Sequence, residues 1–373
     1  MSPDLPIPET MTEYRSSRDL DWPLLALSVA ISAFGVLQIY SATAGTVWKD
    51  AWWKQALFVA AGLIVMHIMA RIDYHRLLDL APVFYVLGLV LLLGVLLLGR
   101  QVFGSRRWIP LPGGFTFQVS EFVKLVVVLL AARYLSELRG DRPSARDLLR
   151  LGVLVAFPMA LVMKQPDLGT ALTYAAVAGV GVFFAGLRWQ HAAVLGLLFV
   201  LVLPLGWTFL RDYQKARLTS FLDPGGDPLG SGYQVIQSKI AVGSGGMWGK
   251  GVARGSQTQL RFLPVAHTDF VLSAFAEEHG FVGVTVVLTL YFLMLMQIVQ
   301  NAQAAPDRAG MYVCMGVCAL LLFHLLVNVG MLVGRMIVTG VPLPLMSYGG
   351  SSILTVFMML GLVNNVRLQR FVN

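Results

Sequence analysis

Charged side chains are scarce in this sequence. Asp, Glu, Lys and Arg together make up 13% of its 373 residues, whereas hydrophobic residues make up 57%. Soluble domains carry about 25% charged residues, because they must cover one apolar core with a polar surface. This composition therefore excludes an ordinary water-soluble enzyme. The excess apolar surface requires lipid around several helices and indicates an integral membrane protein.

Cysteine is nearly absent as well, with only Cys314 and Cys318 present. Two thiols four residues apart in one apolar run are expected to be small buried side chains and not a redox or metal pair. The first residues contain three prolines and mixed charges but no apolar core typical of a cleavable signal peptide. We therefore expect a disordered cytoplasmic tail at residues 1–21.

Ten apolar runs approach the length of about 20 helical residues that ~30 Å of hydrocarbon requires. They lie at residues 22–41, 51–70, 77–98, 118–135, 148–163, 168–186, 189–210, 281–300, 310–333 and 347–366. The sequence thus predicts an all-α polytopic protein whose residues 22–373 form a single ten-helix membrane domain. A large extracytoplasmic loop is expected between helices 7 and 8, at residues 211–280.

The basic residues indicate the orientation of these helices. The net charge of +8 is scattered over short connections and does not form one stripe, which argues against nucleic-acid binding. If the N-terminus is inside, the inner connections carry thirteen Lys or Arg residues and the short outer ones carry seven. The positive-inside rule therefore places both termini in the cytoplasm.

Ionisable residues beside apolar runs are expensive in lipid and mark candidate sites. Glu121 and Lys124 are three residues apart on one helix face, either as a structural ion pair or as the polar wall of a substrate cavity. Asp167 can cap the sixth helix. With Asp269, which lies in the segment 262–280 (FLPVAHTDFVLSAFAEEHG), these acids are expected to meet at the outer face. The apolar run after this segment spans unaided, so 262–280 is interpreted as the end of an outer loop.

Two outer loops add cations near these acids. The loop before the fourth span contains Arg106, Arg107 and Trp108. The long loop contains Lys239 and a glycine-rich segment that lacks the spacing of a nucleotide-binding P-loop. Exposed backbone N–H groups and cations at a membrane face suit an anionic headgroup such as a pyrophosphate.

The segment TGVPLPLMSYGGSS precedes the last span. Its prolines predict a broken or re-entrant helix entry that includes Ser347 and Ser351. Simple helix capping by Ser347 is the alternative.

Five strings in this order, RRWIPLPGGFTFQVSEFVKL, KQPDLGTAL, FLDPGGDPLGSGYQVIQSKIAVGSGGMWGKG, FLPVAHTDFVLSAFAEEHGFVG and TGVPLPLMSYGGSS, resemble the SEDS family (shape, elongation, division and sporulation). The resemblance covers nearly the whole chain after the tail and is closer to the elongation branch than to the division branch. It implies a glycosyltransferase of the bacterial cytoplasmic membrane that polymerises lipid II into peptidoglycan strands at the outer face.

The resemblance also implies roles for individual residues. The family's essential aspartate falls on Asp269, the expected general base of an inverting attack that releases undecaprenyl pyrophosphate. His267 is a rival base or fixes the loop around Asp269. The expected substrate-binding or cavity residues are Glu121, Lys124, Asp167, Trp108, Arg106, Arg107, His267, Lys239, Ser347 and Ser351. Whether the acids hold a divalent cation, Mg or Mn, stays open, since no ligand spacing in the sequence decides it.

Two further activities fit parts of the pattern. A lipid II transporter would also have midplane acids and Pro-broken helices, and the division branch shares the polymerase motifs. The resemblance implies a class B penicillin-binding protein, a transpeptidase, as membrane partner. The small residues Gly283, Ala309 and Gly316 suggest the eighth and ninth spans and the large outer loop as its contact, or serve internal packing only.

Overall fold

The computed structural model describes residues 20–102, 105–110, 116–138, 140, 142–194, 196–197, 200–201, 212–223 and 231–370. Nearly all of the tail predicted at 1–21 lies outside these residues. So do parts of the seventh span and of the loop predicted at 211–280. Over the described ranges the chain is predominantly helical, as the composition predicts.

Twelve helices are defined within the described residues. They are α1 (Trp22–Thr43), α2 (Ala51–Arg71), α3 (Tyr74–Leu98), α4 (Val119–Ser136), α5 (Ala145–Lys164), α6 (Leu168–Phe184), α7 (Asp212–Leu222), α8 (Ser231–Ser244), α9 (Ser256–Gln259), α10 (Val271–Gln303), α11 (Arg308–Leu332) and α12 (Gly350–Gln369). The described residues of the predicted seventh span, 189–194, 196–197 and 200–201, are also helical.

Six of these helices, α1, α2, α3, α10, α11 and α12, are long and apolar enough to cross a membrane, and α6 is a shorter apolar helix. The chain is therefore a multi-pass membrane protein. Helices α4 and α5 have 18 and 20 residues, but each contains at least three charged residues, including Glu121 and Lys124 in α4. Such charges are tolerated only where the bundle buries and pairs them.

Short polar side chains begin several helices by accepting hydrogen bonds from backbone N–H groups that have no helical partner. Asp21 accepts from Leu24 N at 3.2 Å in α1, and Asp307 accepts from Gly310 N at 2.6 Å in α11. Ser144 and Asp147 form a reciprocal capping box at the start of α5. These caps stabilise the first turn of these three helices.

Helix α11 lies at the centre of the bundle, since it packs against α4, α6, α8, α10 and α12. Gly316 of this helix faces α4, and a Cβ on it would lie 2.9 Å from Val128 Cγ1. The small size of Gly316 therefore serves internal packing, which is one of the two roles expected for it.

A three-stranded antiparallel sheet precedes α4. It comprises β1 (Arg100–Val102), β2 (Ser105–Pro110) and β3 (Thr116–Gln118), in that order. Trp108 of β2 pairs with Gln118 of β3, which leads directly into α4. The sheet thereby brings Arg107 and Gln118 to the same end of the bundle as the start of α4.

The segment predicted at 262–280 as the end of an outer loop is helical in its second half. Residues from Val271 onward are helical and continue into the span, so α10 has 33 residues, about 50 Å at 1.5 Å per residue. That exceeds the ~30 Å of hydrocarbon. The helix breaks at Gly280, where φ is 65° and ψ is −166°. A Cβ there would lie 2.3 Å from the backbone N of Gly249, so only glycine fits this kink.

The last helix begins later than predicted, at Gly350, and Gly349 is its N-cap residue. Ser347 therefore does not cap it. The preceding segment, from Thr339 to Tyr348, is not helical, which agrees with the broken entry that its prolines predict. Its backbone carbonyls need donors from neighbouring elements.

Candidate functional site

Asp269 lies in a tight turn two residues before α10. The turn is closed by a hydrogen bond from Thr268 N to Val265 O at 3.0 Å, and the Asp269 carbonyl accepts from Asn328 Nδ2 of α11 at 3.0 Å. Gly340 faces the carboxylate, since a Cβ there would lie 3.4 Å from Asp269 Oδ2. The side chain is only partly buried. Hydrogen bonds therefore fix the backbone around Asp269, and its carboxylate stays partly exposed.

Charged groups from three other segments surround this carboxylate. Asp269 interacts electrostatically with Arg217 of α7, with Asp167 at the start of α6 and with Arg107 of β2. Burial raises the pKa of Asp269 above its ordinary value and Asp167 adds to this effect, although the two arginines oppose it. A carboxylate with a raised pKa binds a proton more strongly, which suits a general base.

Asp167 caps α6, as predicted, by accepting from Thr170 N at 3.2 Å through Oδ1. Its Oδ2 lies 3.3 Å from Gln118 Nε2 and 3.7 Å from Arg107 Nη1. Arg107 also donates from Nε to Gln165 O at 2.7 Å and from Nη2 to Pro166 O. The α5–α6 connection therefore fixes the arginine beside the acid. Asp167, Arg107 and Asp269 meet in one place, as the sequence predicts for the two acids.

Glu121 and Lys124 form the predicted ion pair, with Lys124 Nζ 2.6 Å from Glu121 Oε1. Both are deeply buried, at 4% and 1% exposed, so in this conformation they lie inside the bundle and do not line an open cavity. The pair is nevertheless next to the acids of the site. Tyr174 interacts electrostatically with both Asp167 and Glu121, and its hydroxyl donates to Ser120 O at 3.0 Å.

The two serines predicted at the site fix loops. Ser347 is buried, donates to Thr268 O at 2.7 Å and accepts from Leu343 N at 2.8 Å. The buried Ser347 side chain therefore connects the turn that carries Asp269 (HTDF, residues 267–270) to the segment before α12 (TGVPLPLMSYGG). Ser351 accepts from Gln118 N at 3.0 Å and links the start of α12 to β3.

Three basic or aromatic candidates lie on the surrounding elements. Trp108 is half-buried in β2, and Arg106 belongs to the same strand, although its side chain lies outside the described part. Lys239 is exposed on α8. Its ammonium lies against Gly334, since a Cβ added to this glycine would be 2.6 Å from Lys239 Nζ.

The His267 ring is held by aromatic contacts. It packs against Trp48 at 5.3 Å between ring centroids and against Tyr348 at 6.0 Å, and its backbone carbonyl accepts from Tyr348 N at 2.9 Å. Burial lowers the pKa of His267, which keeps the ring neutral near pH 7. Ring packing and this backbone bond anchor the turn that carries Asp269.

No three His, Cys, Asp or Glu side chains come together as metal ligands within the described ranges. Asp167 and Asp269 instead have Arg107 and Arg217 as neighbours, which offset their charge. Mg²⁺ is commonly bound by one or two carboxylates together with substrate phosphates and water. The Mg or Mn site therefore stays a prediction, and no step of the proposed reaction depends on it.

A family model described as "Cell cycle protein", covering the FtsW, RodA and SpoVE proteins, matches residues 21–371. The chain belongs to this family. The Escherichia coli K12 "Peptidoglycan glycosyltransferase MrdB" is 38% identical over 352 residues, which cover 94% of each chain. The Treponema pallidum "Peptidoglycan glycosyltransferase RodA" is 34% identical over 432 residues, 95% of this chain and 99% of the relative.

A solved structure from work described as "Structural coordination of polymerization and crosslinking by a peptidoglycan synthase complex" has the same fold. Its TM-score is 0.81 at 36% identity, over 95% of this chain and 99% of that one. The SEDS resemblance predicted from the five sequence strings is therefore confirmed for the fold and the family.

Sequence reasoning missed three residues of the site in this FtsW/RodA/SpoVE family member. Arg217 belongs to a basic helix of the long loop that carried no motif. His324 and Asn328 of α11 are polar residues inside an apolar run, a signal that lipid-buried polar groups usually have a purpose. All three contact or interact with the predicted residues.

The two glutamates before the Gly280 kink anchor the outer loop of this family member. Glu277 accepts from Lys250 Nζ at 2.8 Å, from Gln257 N at 2.9 Å and from Thr258 N at 3.0 Å. Glu278 accepts from Ser41 Oγ at 2.5 Å. Both acids therefore hold the loop against the bundle.

Changing Glu277 to Gln should therefore destabilise the fold. The side chain is fully buried and ion-paired, so we expect a loss of about 1–3 kcal/mol, seen as a lower thermal midpoint in detergent. Glu137→Gln is the matched control, because its pair with Arg133 is 63% exposed on the Glu side and contributes at most ~1 kcal/mol. Equal midpoints for the two variants would refute the anchoring role.

Proposed function

We propose that this chain is a peptidoglycan glycosyltransferase that polymerises lipid II during cell elongation. Its family membership and its similarity to MrdB and RodA proteins named as such support this proposal. At the site, the proposal rests on Asp269, whose partly buried carboxylate has a raised pKa and interacts electrostatically with Arg107 and Arg217. This combination provides a base for the acceptor and cations for an anionic leaving group.

In the proposed reaction, the 4-hydroxyl of one lipid II attacks the anomeric carbon of another lipid-linked saccharide. A new C–O bond forms with inversion, the bond from that carbon to the pyrophosphate oxygen breaks, and undecaprenyl pyrophosphate leaves. Asp269 accepts the hydroxyl proton. Arg107 and Arg217 stabilise the charge that develops on the pyrophosphate.

The other predicted residues have supporting roles in this proposal. Asp167 orients Arg107 and the saccharides. Lys124, paired with Glu121 inside the bundle, adds positive charge near the leaving group. Trp108 supplies an apolar wall. Lys239 and Ser351 complete the surface that receives the headgroup.

The proposed topology has ten spans in a single domain over residues 22–373, with both termini in the cytoplasm. The large loop at 211–280 and the site then face outward, where lipid-linked precursors are polymerised. The grouping of Asp167, Asp269 and Arg107 at one end of the bundle supports this placement.

A class B penicillin-binding protein is the proposed partner. The similar solved structure belongs to a complex that coordinates polymerization and crosslinking. We place the partner's helix against the exposed faces of α10 and α11, with its outer domain on the large loop. The small residues do not locate this contact, because Gly316 faces α4 and Gly283 is half-buried, with His279 Cβ 2.4 Å from the position that a Cβ on it would take.

The test that separates an enzyme from a lipid II transporter uses purified protein in detergent, where there is no compartment to cross. We expect labelled lipid II to become glycan strands that resolve as a ladder on a gel and that lysozyme digests. Absence of polymer, together with lipid II scrambling in vesicles, would favour the transporter.

The His267→Gln variant should retain near-normal polymerisation. In the wild type the His267 ring only packs against Trp48 and Tyr348. The hydrogen bond from Tyr348 N goes to the backbone carbonyl of residue 267, which glutamine keeps. We expect at most a few-fold loss of initial rate. Loss as large as that of an Asp269 variant would make His267 the base instead.

A further inference from the structure

Helix α11 carries two buried polar side chains one turn apart, His324 at 3% and Asn328 at 0% exposed. The proposed reaction gives neither of them a role. Polar groups inside a membrane bundle are costly unless they are satisfied or functional. Their hydrogen bonds show what they connect.

His324 joins the Lys124 ammonium to the non-helical segment before α12. Its Nδ1 lies 3.1 Å from Pro342 O, and its Nε2 lies 3.3 Å from Lys124 Nζ. A carbonyl oxygen only accepts, so Nδ1 carries the proton and Nε2 is the acceptor of the neutral ring. Lys124 therefore donates to His324 and, at 2.6 Å, to Glu121, and two acceptors fix the direction of its ammonium.

Asn328 joins the same segment to the turn that carries Asp269. Its Nδ2 donates to Asp269 O and to Val341 O, both at 3.0 Å. This orientation of the amide is required, because a flipped amide would point its oxygen at two carbonyl oxygens. Both hydrogens of the amide are thereby used.

The two side chains thus hold the carbonyls of consecutive residues, Val341 and Pro342. On one side the chain of bonds reaches Lys124, and on the other it reaches Asp269. Every connection passes through α11, the central helix of the bundle. The carboxylate also packs against Gly340 of the same segment.

Building on the proposed function, we propose that His324 and Asn328 form a positioning bracket that sets the placement of the Lys124 ammonium relative to the Asp269 carboxylate. Neither residue touches the reacting atoms. The bracket matters because the base acts on the attacking hydroxyl while the cation acts on the leaving pyrophosphate. Both groups must therefore be correctly placed at the same moment. A misplacement of about 1 Å costs up to about a hundredfold in rate.

Two substitutions at His324 separate the halves of the bracket. In His324→Asn the amide nitrogen replaces Nδ1, which keeps the bond to Pro342 but removes the acceptor for Lys124. In His324→Gln the longer amide reaches the Nε2 position, which keeps the acceptor but removes the donor. We expect kcat for lipid II polymerisation to fall about tenfold or more in each, with KM within about threefold, because positioning acts on the chemical step.

Asn328→Leu removes the other pair of bonds while keeping the number and branching of the side-chain heavy atoms. Its effect should not add to that of His324→Asn, since both break one unit. The matched control is Asn365→Leu. Asn365 is also fully buried and makes two bonds to backbone, with Tyr74 N at 2.9 Å and Ala70 O at 2.7 Å, at the opposite end of the bundle. It should lower the thermal midpoint similarly but leave kcat unchanged.

Amide hydrogen exchange of the substrate-free protein tests the bracket without any activity. Asn328→Leu should speed exchange in residues 266–270 and 339–343 by about tenfold or more, and Asn365→Leu should not. Unchanged exchange overturns the bracket whether or not the chain is a polymerase. Retained kcat in both His324 variants, multiplying losses in the double variant, or an equal kcat loss in Asn365→Leu also overturns it. Failure of the wild-type protein to polymerise would instead refute the proposed function.

Discussion

The Asp269→Asn variant is expected to lose lipid II polymerisation while keeping its fold. A positioned general base contributes about 10²- to 10⁴-fold in rate, so initial rates in detergent should fall by at least two orders of magnitude. Asparagine is isosteric and leaves the carbonyl bond from Asn328 in place. The measurement is the initial rate of strand formation, with the thermal midpoint recorded on the same preparation.

The midpoint of this variant should not fall, and the reason lies in the pKa of Asp269. Because that pKa is raised on folding, the folded protein binds more protons than the unfolded chain between the two pKa values. Stability therefore decreases as the pH rises through this window. Asparagine cannot ionise, so the variant does not lose stability as the pH rises through this window.

The matched control for this variant is Asp50→Asn. Asp50 is exposed in the α1–α2 connection and makes no side-chain cap bond to α2, so both rate and midpoint should match the wild type. Long strands formed by Asp269→Asn at a rate near that of wild type would show that another group is the base.

The pH dependence of the wild type gives a second check on the same residue. An aspartate base works only when ionised, so kcat/KM should fall as the pH is lowered through its pKa. Since that pKa is raised, the fall should occur above the ordinary value of about 3.9. Loss of activity only below that value would contradict the environment described for Asp269.

Hydropathy and unusual polar residues made most of the architecture predictable. Apolar runs of spanning length located the helices, because lipid leaves few alternatives for the backbone. Asp167 and Asp269 were predicted to meet, since the topology placed both at the same membrane face. The pairing of Glu121 with Lys124 followed from helical spacing alone.

The remaining features depend on contacts between distant segments. The helical state of Val271–Gly280 was missed, because the apolar run after it already had spanning length and Gly280 suggested a boundary. The burial of Ser347 depends on the HTDF turn packing against the segment before α12. Arg217 reaches the site from a loop helix without a motif, and only tertiary structure reveals that.

The ion pair inside α4 offers a test that separates stability from catalysis. Lys124→Met leaves the Glu121 carboxylate buried at 4% exposure without its partner. Removing one member of a buried pair costs about 3–5 kcal/mol, so we expect a strongly lowered thermal midpoint and little active protein. The midpoint in detergent and the yield of monodisperse protein measure this effect.

The double variant Glu121→Gln/Lys124→Met tests whether the ion pair contributes to catalysis or only to the structure. With both charges removed, the desolvation penalty disappears, and replacing a buried pair by neutral groups of similar volume is often neutral or stabilising. The midpoint should therefore recover. If Lys124 stabilises the departing pyrophosphate, kcat should stay about 10²- to 10³-fold below wild type, the usual cost of losing one electrostatic donor. Recovery of both midpoint and kcat would instead make the pair purely structural, and the arginines beside Asp269 would then be the cations that remain for the leaving group.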